Sequence, residues 1–113
     1  MDSDRKGRLA EFLTACYLRL CGYRIITTRY KTPVGEVDLI ARRGKTLAFI
    51  EVKCRKTIDD GLYAVSPKSQ ARIRRAAEHF LTLSTGKTAD LQPRFDVVVV
   101  RLYHHFHHIK NAF

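Results

Sequence analysis

The sequence predicts an α/β fold in which a mixed central sheet is flanked by helices, in the order α-β-β-β-α-β. Three observations carry this reading. Two stretches place apolar residues at helical spacing, one on each side of a group of β-branched runs. Those runs are short and bounded by Gly, Pro and charged turn residues. Four consecutive valines, Val97 to Val100, near the C-terminus read as a strand buried on both faces.

The first element spans residues 5–20, where Leu9, Phe12, Leu13, Cys16, Tyr17 and Leu20 recur at helical spacing and Cys21-Gly22 supplies the stop. Gly7, Glu11 and Ala15 fall four apart on a neighbouring stripe, so Glu11 sits between two small residues where other backbone can approach. Residues 23–28 are rich in β-branched and aromatic side chains and predict a strand, followed by a turn-prone loop over 31–35. Residues 36–42 and 45–54 predict two further strands joined around Arg43-Gly44 as a hairpin.

A polar connection over 57–63 follows, and Ser66-Pro67 then gives an N-cap with proline at the first helical position. The second helix shows the apolar stripe Ile73, Ala76, Ala77, Phe80 and Leu81, with Lys68, Arg72, Arg74 and Arg75 largely outside it. A loop over 84–93 precedes the valine strand at 95–102, and the tail over 103–113 is a candidate edge strand. With 113 residues there is room for one core, so residues 1–113 are expected to form a single domain.

Lys and Arg number 21 against 11 Asp and Glu, and a net charge of +10 on so small a surface favours a polyanionic partner, nucleic acid first. No apolar run approaches the roughly 20 residues of a membrane span. The N-terminus opens Met-Asp-Ser-Asp-Arg-Lys-Gly, unlike a secretory signal, so a soluble, cytoplasmic protein with no membrane partner is expected. Cys16, Cys21 and Cys54 lack CxxC spacing and read as reduced, mostly buried thiols rather than a disulfide framework or zinc ribbon.

The informative residues interrupt the apolar hairpin with charge: Gly35-Glu36-Val37-Asp38-Leu39-Ile40 and then Phe49-Ile50-Glu51-Val52-Lys53. Side chains alternate across a strand, so Glu51 and Lys53 share a face. A tight turn on Arg43-Gly44 sets Lys45 against Arg42, hence Phe49 against Asp38 and Glu51 against Glu36, and gathers all four charged residues on one side. A bulge at Gly44 would change that parity.

Phosphodiester hydrolysis needs oxygen donors for Mg²⁺ or Mn²⁺ and a cation near the attacking oxygen. Asp38 and Glu51 offer the donors, and Lys53 offers the cation. The competing reading is an ordinary Glu-Lys pair on a solvated strand with Asp38 capping a turn. The Gly-Glu-x-Asp partner strand and the strongly basic background favour the first.

These segments, with Arg94-Phe95-Asp96-Val97-Val98 and the ending His108-Ile109-Lys110-Asn111-Ala112-Phe113, resemble the YraN family of uncharacterised bacterial proteins from about Gly7 to the C-terminus. That family is similar to the restriction-endonuclease-like, or PD-(D/E)xK, superfamily and to archaeal Holliday-junction resolvases, whose core has the element order read above. The resemblance implies metal binding by Asp38 and Glu51, catalysis by Lys53 and assistance from Glu11, with Gln70 as a second-helix contributor. It implies Mg²⁺ or Mn²⁺ as cofactor, DNA as substrate, and a homodimer by the resolvase analogy. The sequence departs from the family pattern at Ala10, usually glycine, and at Thr28-Arg29, usually Arg-Asn.

The basic residues Arg55, Lys56, Lys68, Arg72, Arg74 and Arg75, with Gln70, are expected to touch nucleic acid near the cut site. The run Tyr103-His104-His105-Phe106-His107-His108 lacks a partner Cys or acidic ligand nearby and reads as an edge strand or end loop with exposed histidines rather than a metal site. Asp96 is expected to pair with Arg94 or cap a loop, and Cys54, facing away from Lys53, is not a nucleophile. The expected activity is a metal-dependent DNA endonuclease, with structure-specific cutting of branched or single-stranded DNA because no base-reading helix is visible. A non-catalytic DNA-binding module of the same fold and an RNA-processing nuclease are the alternatives.

Overall fold

In the computed structural model the chain runs α1 (Ser3–Leu20), β1 (Arg24–Lys31), β2 (Glu36–Arg43), β3 (Thr46–Cys54), α2 (Ile58–Tyr63), α3 (Pro67–Leu83), β4 (Gln92–Arg101) and β5 (His105–Ile109). Residues 2–84 and 86–113 are described; Met1, at the expected leaderless start, and Thr85, in the loop expected over 84–93, lie outside them. The strands form one sheet in chain order, antiparallel except for the parallel pair β3 and β4. A parallel pair needs a long crossover, and α2 and α3 supply it. This mixed sheet with flanking helices is compatible with a restriction-endonuclease-like core.

α1 covers one face, and α2 and α3 cover the other. Leu18 of α1 packs on Leu39, Ile50, Val98 and Val100; on the other side, Ile73 of α3 lies with Ile40, Phe49, Val97 and Val99. The valine run is thus split between the two cores by strand alternation, and none of its four residues is more than 1% exposed. Ser66 accepts a hydrogen bond from the Ser69 amide at 3.2 Å with Pro67 at the first helical position, as the sequence predicts for α3. Gly35 lets α3 settle against the start of β2, since a Cβ there would stand 2.0 Å from the Arg72 carbonyl oxygen.

Several expectations are corrected. Part of the apolar stripe that marks α1 in the sequence faces outward: Phe12 and Leu20 are 62% and 89% exposed, while Ala10, Thr14, Ala15 and Leu18 are buried and Tyr17 packs against that core. Small residues let the helix lie close on the sheet. The connection over 57–63 contains the short helix α2, capped by the Thr57 hydroxyl accepting from the Asp60 amide at 3.0 Å. The three thiols are free but only half-buried. The tail does form an edge strand, β5, yet His108 turns inward onto Asp96 instead of facing solvent. Among the described residues no helix is long and apolar enough to cross a membrane.

Candidate active site

The hairpin turns on Gly44-Lys45, not Arg43-Gly44, so Arg43 faces Thr46 and Leu39 faces Ile50. Gly44 has φ +60, a conformation that glycine adopts freely and that the expected register would have assigned to Arg43 as well. The slip is by an even number, so side chains keep their faces, but continuing the register sets Glu51 beside Asp38 rather than Glu36.

Beyond that point β2 and β3 part. Val37 joins the α3-side core whereas Leu39 joins the α1-side core, so strict alternation breaks across Asp38. The Asp38 carboxylate takes the place of a strand carbonyl: its Oδ2 accepts the Val52 amide at 2.9 Å. One oxygen is thereby anchored on backbone, which orients the rest of the group toward Glu51.

Glu51 is largely covered, with its side chain 14% exposed, and Lys53 Nζ stands 3.4 Å from its Oε2. Burial, then the hydrogen bond with Asp38 and the Asp38 charge, push the Glu51 carboxyl up to about 8, against the opposing pull of Lys53. Glu11, reaching in from α1, is also raised, by burial and then by the Asp38 charge, with Arg29 and Arg8 opposing. Its Oε1 is buried without a hydrogen-bond partner, and the nearest cation, Arg29, stands at 4.0 Å.

Glu11, Arg29, Lys31, Glu36 and Asp38 line a polar cleft of about 200 Å³, and Glu36, Asp38 and Glu51 border a smaller one with Ser69, Arg72 and Ile73 of α3. Asp38 is common to both and stands between the two helices. The donor set suits a hard divalent cation: Asp38 and Glu51 border one cavity, Glu11 and Asp38 the other, and a Glu11 oxygen is orphaned. Among the described residues no three such ligands stand close enough to enclose an ion alone. Mg²⁺ is commonly held by one or two carboxylates, with waters and substrate phosphates completing the shell.

The basic residues divide by what they touch. Arg72 pairs with Glu36 at 3.3 Å, Arg74 lies over the rings of Phe95 and Phe113 at 4.6 and 5.5 Å, and Arg75 Nε donates to the Val34 carbonyl at 2.8 Å. Gln70 Nε2 donates to the Val65 carbonyl at 3.1 Å. Lys68, Arg55 and Lys56 are exposed and form no ion pair among the described residues. Asp96 stands apart from the acidic cleft: fully buried, it is held by Arg94 and His108, each at 2.8 Å, and by the Asn111 amide at 3.0 Å.

Sequence reasoning missed Arg29, Lys31 and Ser69. The signal for Arg29 was the departure at Thr28-Arg29: its φ is +52, a left-handed position where asparagine is at ease and arginine is strained. Holding arginine there aims a cation at Glu11.

The description "Uncharacterised protein family UPF0102" belongs to a family model that matches residues 10–100. A UPF0102 protein of Sinorhizobium medicae is 44% identical over 109 residues, covering 96% of this chain and 88% of that protein. UPF0102 proteins of Rhodopseudomonas palustris and Caulobacter vibrioides are each 48% identical, over 96 and 94 residues, covering 85% and 83% of this chain and 70% and 74% of theirs.

Proposed function

This chain belongs to the uncharacterised protein family UPF0102, the YraN family, and from that premise we propose that it is a divalent-metal-dependent DNA endonuclease. The observation that carries the reading is that Asp38 and Glu51 border one cavity where β2 and β3 part, with Asp38 held by the Val52 amide and Lys53 at 3.4 Å from Glu51, in a molecule of net charge +10.

Asp38 and Glu51 would hold Mg²⁺ or Mn²⁺, with Glu11 assisting from α1. The bound cation would supply an activated water and neutralise charge on the phosphate. Lys53 orients the attacking water and stabilises the negative charge that develops as the phosphodiester is cleaved. Burial of Glu51 keeps water and stray cations from competing for its carboxyl, and Lys53 draws that carboxyl toward the ionised form the chemistry needs. Lys68, Arg55 and Lys56 contact phosphates without reading bases, which suits a substrate chosen by DNA structure, branched or single-stranded, over one chosen by sequence.

The test is cleavage of labelled branched, single-stranded and duplex DNA with Mg²⁺ or Mn²⁺, repeated with a chelator. Metal-dependent cutting of at least one substrate is expected. Binding with no cutting under any of these conditions would leave a DNA-binding module in place of a nuclease.

A further inference from the structure

A cavity of about 630 Å³ lies apart from the acidic cleft. It lies beyond the carboxyl ends of β3 and β4, where adjacent parallel strands open a crevice of the kind ligands favour. Cys54, Arg55 and Lys56 leave β3 into it, Arg101, Leu102 and Tyr103 leave β4 into it, and Lys6 of α1 with Asp60 of α2 completes the lining. Lys6, Arg55, Lys56 and Arg101 face it with no ion pair to any described residue, against the single carboxylate of Asp60. Four cations against one carboxylate around one concavity favour an anion.

The rim adds a second feature. Leu102 and Tyr103, the first two of the three residues between β4 and β5, have φ +52 and +61, left-handed positions that ordinarily favour Asn and Gly. The chain keeps two bulky residues there despite the strain, and they set an aromatic ring and a 70%-exposed leucine beside the cations. Positive charge for a backbone with a ring for a base is the pairing by which proteins hold single-stranded nucleic acid. The volume is that of a small-ligand pocket and admits a nucleotide, not a double helix.

We propose that this crevice binds an unpaired nucleotide of the nucleic-acid substrate, its phosphate held by Lys6, Arg55, Lys56 and Arg101 and its base stacked on Tyr103. The assignment rests on the nucleic-acid part of the function proposed above and adds to it where the unpaired strand goes.

Two substitutions test it without touching the acidic cleft. Tyr103→Gly removes the ring and relieves a left-handed backbone, so folding should be unharmed or improved. Lys6→Glu reverses one cation in the first turns of α1, where negative charge favours the helix. Binding is measured in a chelator, by fluorescence anisotropy, with a labelled single strand of about ten nucleotides and a blunt duplex of the same sequence.

Tyr103→Gly should weaken single-strand binding about 10-fold and duplex binding less than about 2-fold. Lys6→Glu should weaken single-strand binding and lower its salt slope by about 0.7. Unchanged single-strand binding in both variants, or equal losses on duplex, would overturn the assignment. Because no cleavage is read, this result stands apart from the nuclease reading: selective loss with an inactive parent would sink only the latter.

Discussion

At the residue scale the acidic pair sets the pH behaviour. Glu51 binds its proton more tightly folded, to about 8, than unfolded, near 4.5, so the folded state holds the extra proton between those values. Stability of the metal-free protein should therefore fall as pH rises through that window, and urea denaturation across it should show the slope disappear in Glu51→Gln. Divalent-metal affinity should rise over the same range, because the cation displaces that proton. Asp96 behaves oppositely. Burial alone would raise it, but hydrogen bonds from His108, Arg94 and the Asn111 amide outweigh burial and hold it to about 2. Its stabilisation is present above about pH 4 and lost as pH falls through about 2. Asp96→Asn, which leaves Arg94 facing a neutral partner, should cost about 3 kcal/mol in urea denaturation at neutral pH. The Asp38, Glu51 and Lys53 set was legible in the sequence because charges standing in otherwise buried strands need a reason. The Arg94–Asp96 pair was legible too, but the rest of that cluster was not: His108 and Asn111 are brought near only by the β4–β5 pairing.

At the element scale the legible features were those with local causes. Ser66-Pro67 starts α3 through its own cap, and the valine run could only be a strand covered on both faces. The β2–β3 register was misread by one residue on each strand because the identity of a two-residue turn depends on which residue takes positive φ. The helical spacing marked α1 without saying which of its faces packs, because close approach to a sheet selects Ala10, Thr14 and Ala15 by size and not by hydrophobicity. The Gly35 approach gives a test at this scale. Gly35→Ala would drive a Cβ into the backbone of Arg72, an obstacle no rotamer change can relieve. We expect a loss of about 1–3 kcal/mol by denaturation. Metal affinity should fall as well, since α3 carries Ser69 and Arg72 to the edge of the Asp38–Glu51 cavity.

At the scale of the whole molecule the sheet collects its functional groups at one end. Asp38 near the start of β2, Glu51 and Lys53 near the end of β3, and the basic crevice past β3 and β4 lie together because β2 runs antiparallel to β3 while β4 runs parallel to it. Composition showed the net charge but not its distribution: Arg72 and Arg94 are used internally in ion pairs, while Lys6, Arg55, Lys56 and Arg101 converge unpaired. Binding to DNA should accordingly weaken steeply with salt, and a near-flat titration between low and moderate ionic strength would contradict phosphate contacts as its source. The central claim is that Asp38 and Lys53 serve one hydrolytic centre. It is tested most directly by measuring cleavage and binding of the same labelled DNA, with Mg²⁺ or Mn²⁺, by the parent, Asp38→Ala and Lys53→Ala. Cleavage by the parent that falls about 100-fold or more in both variants while binding persists is the predicted result. Cleavage that survives both substitutions, or a parent that binds without cutting, would contradict it.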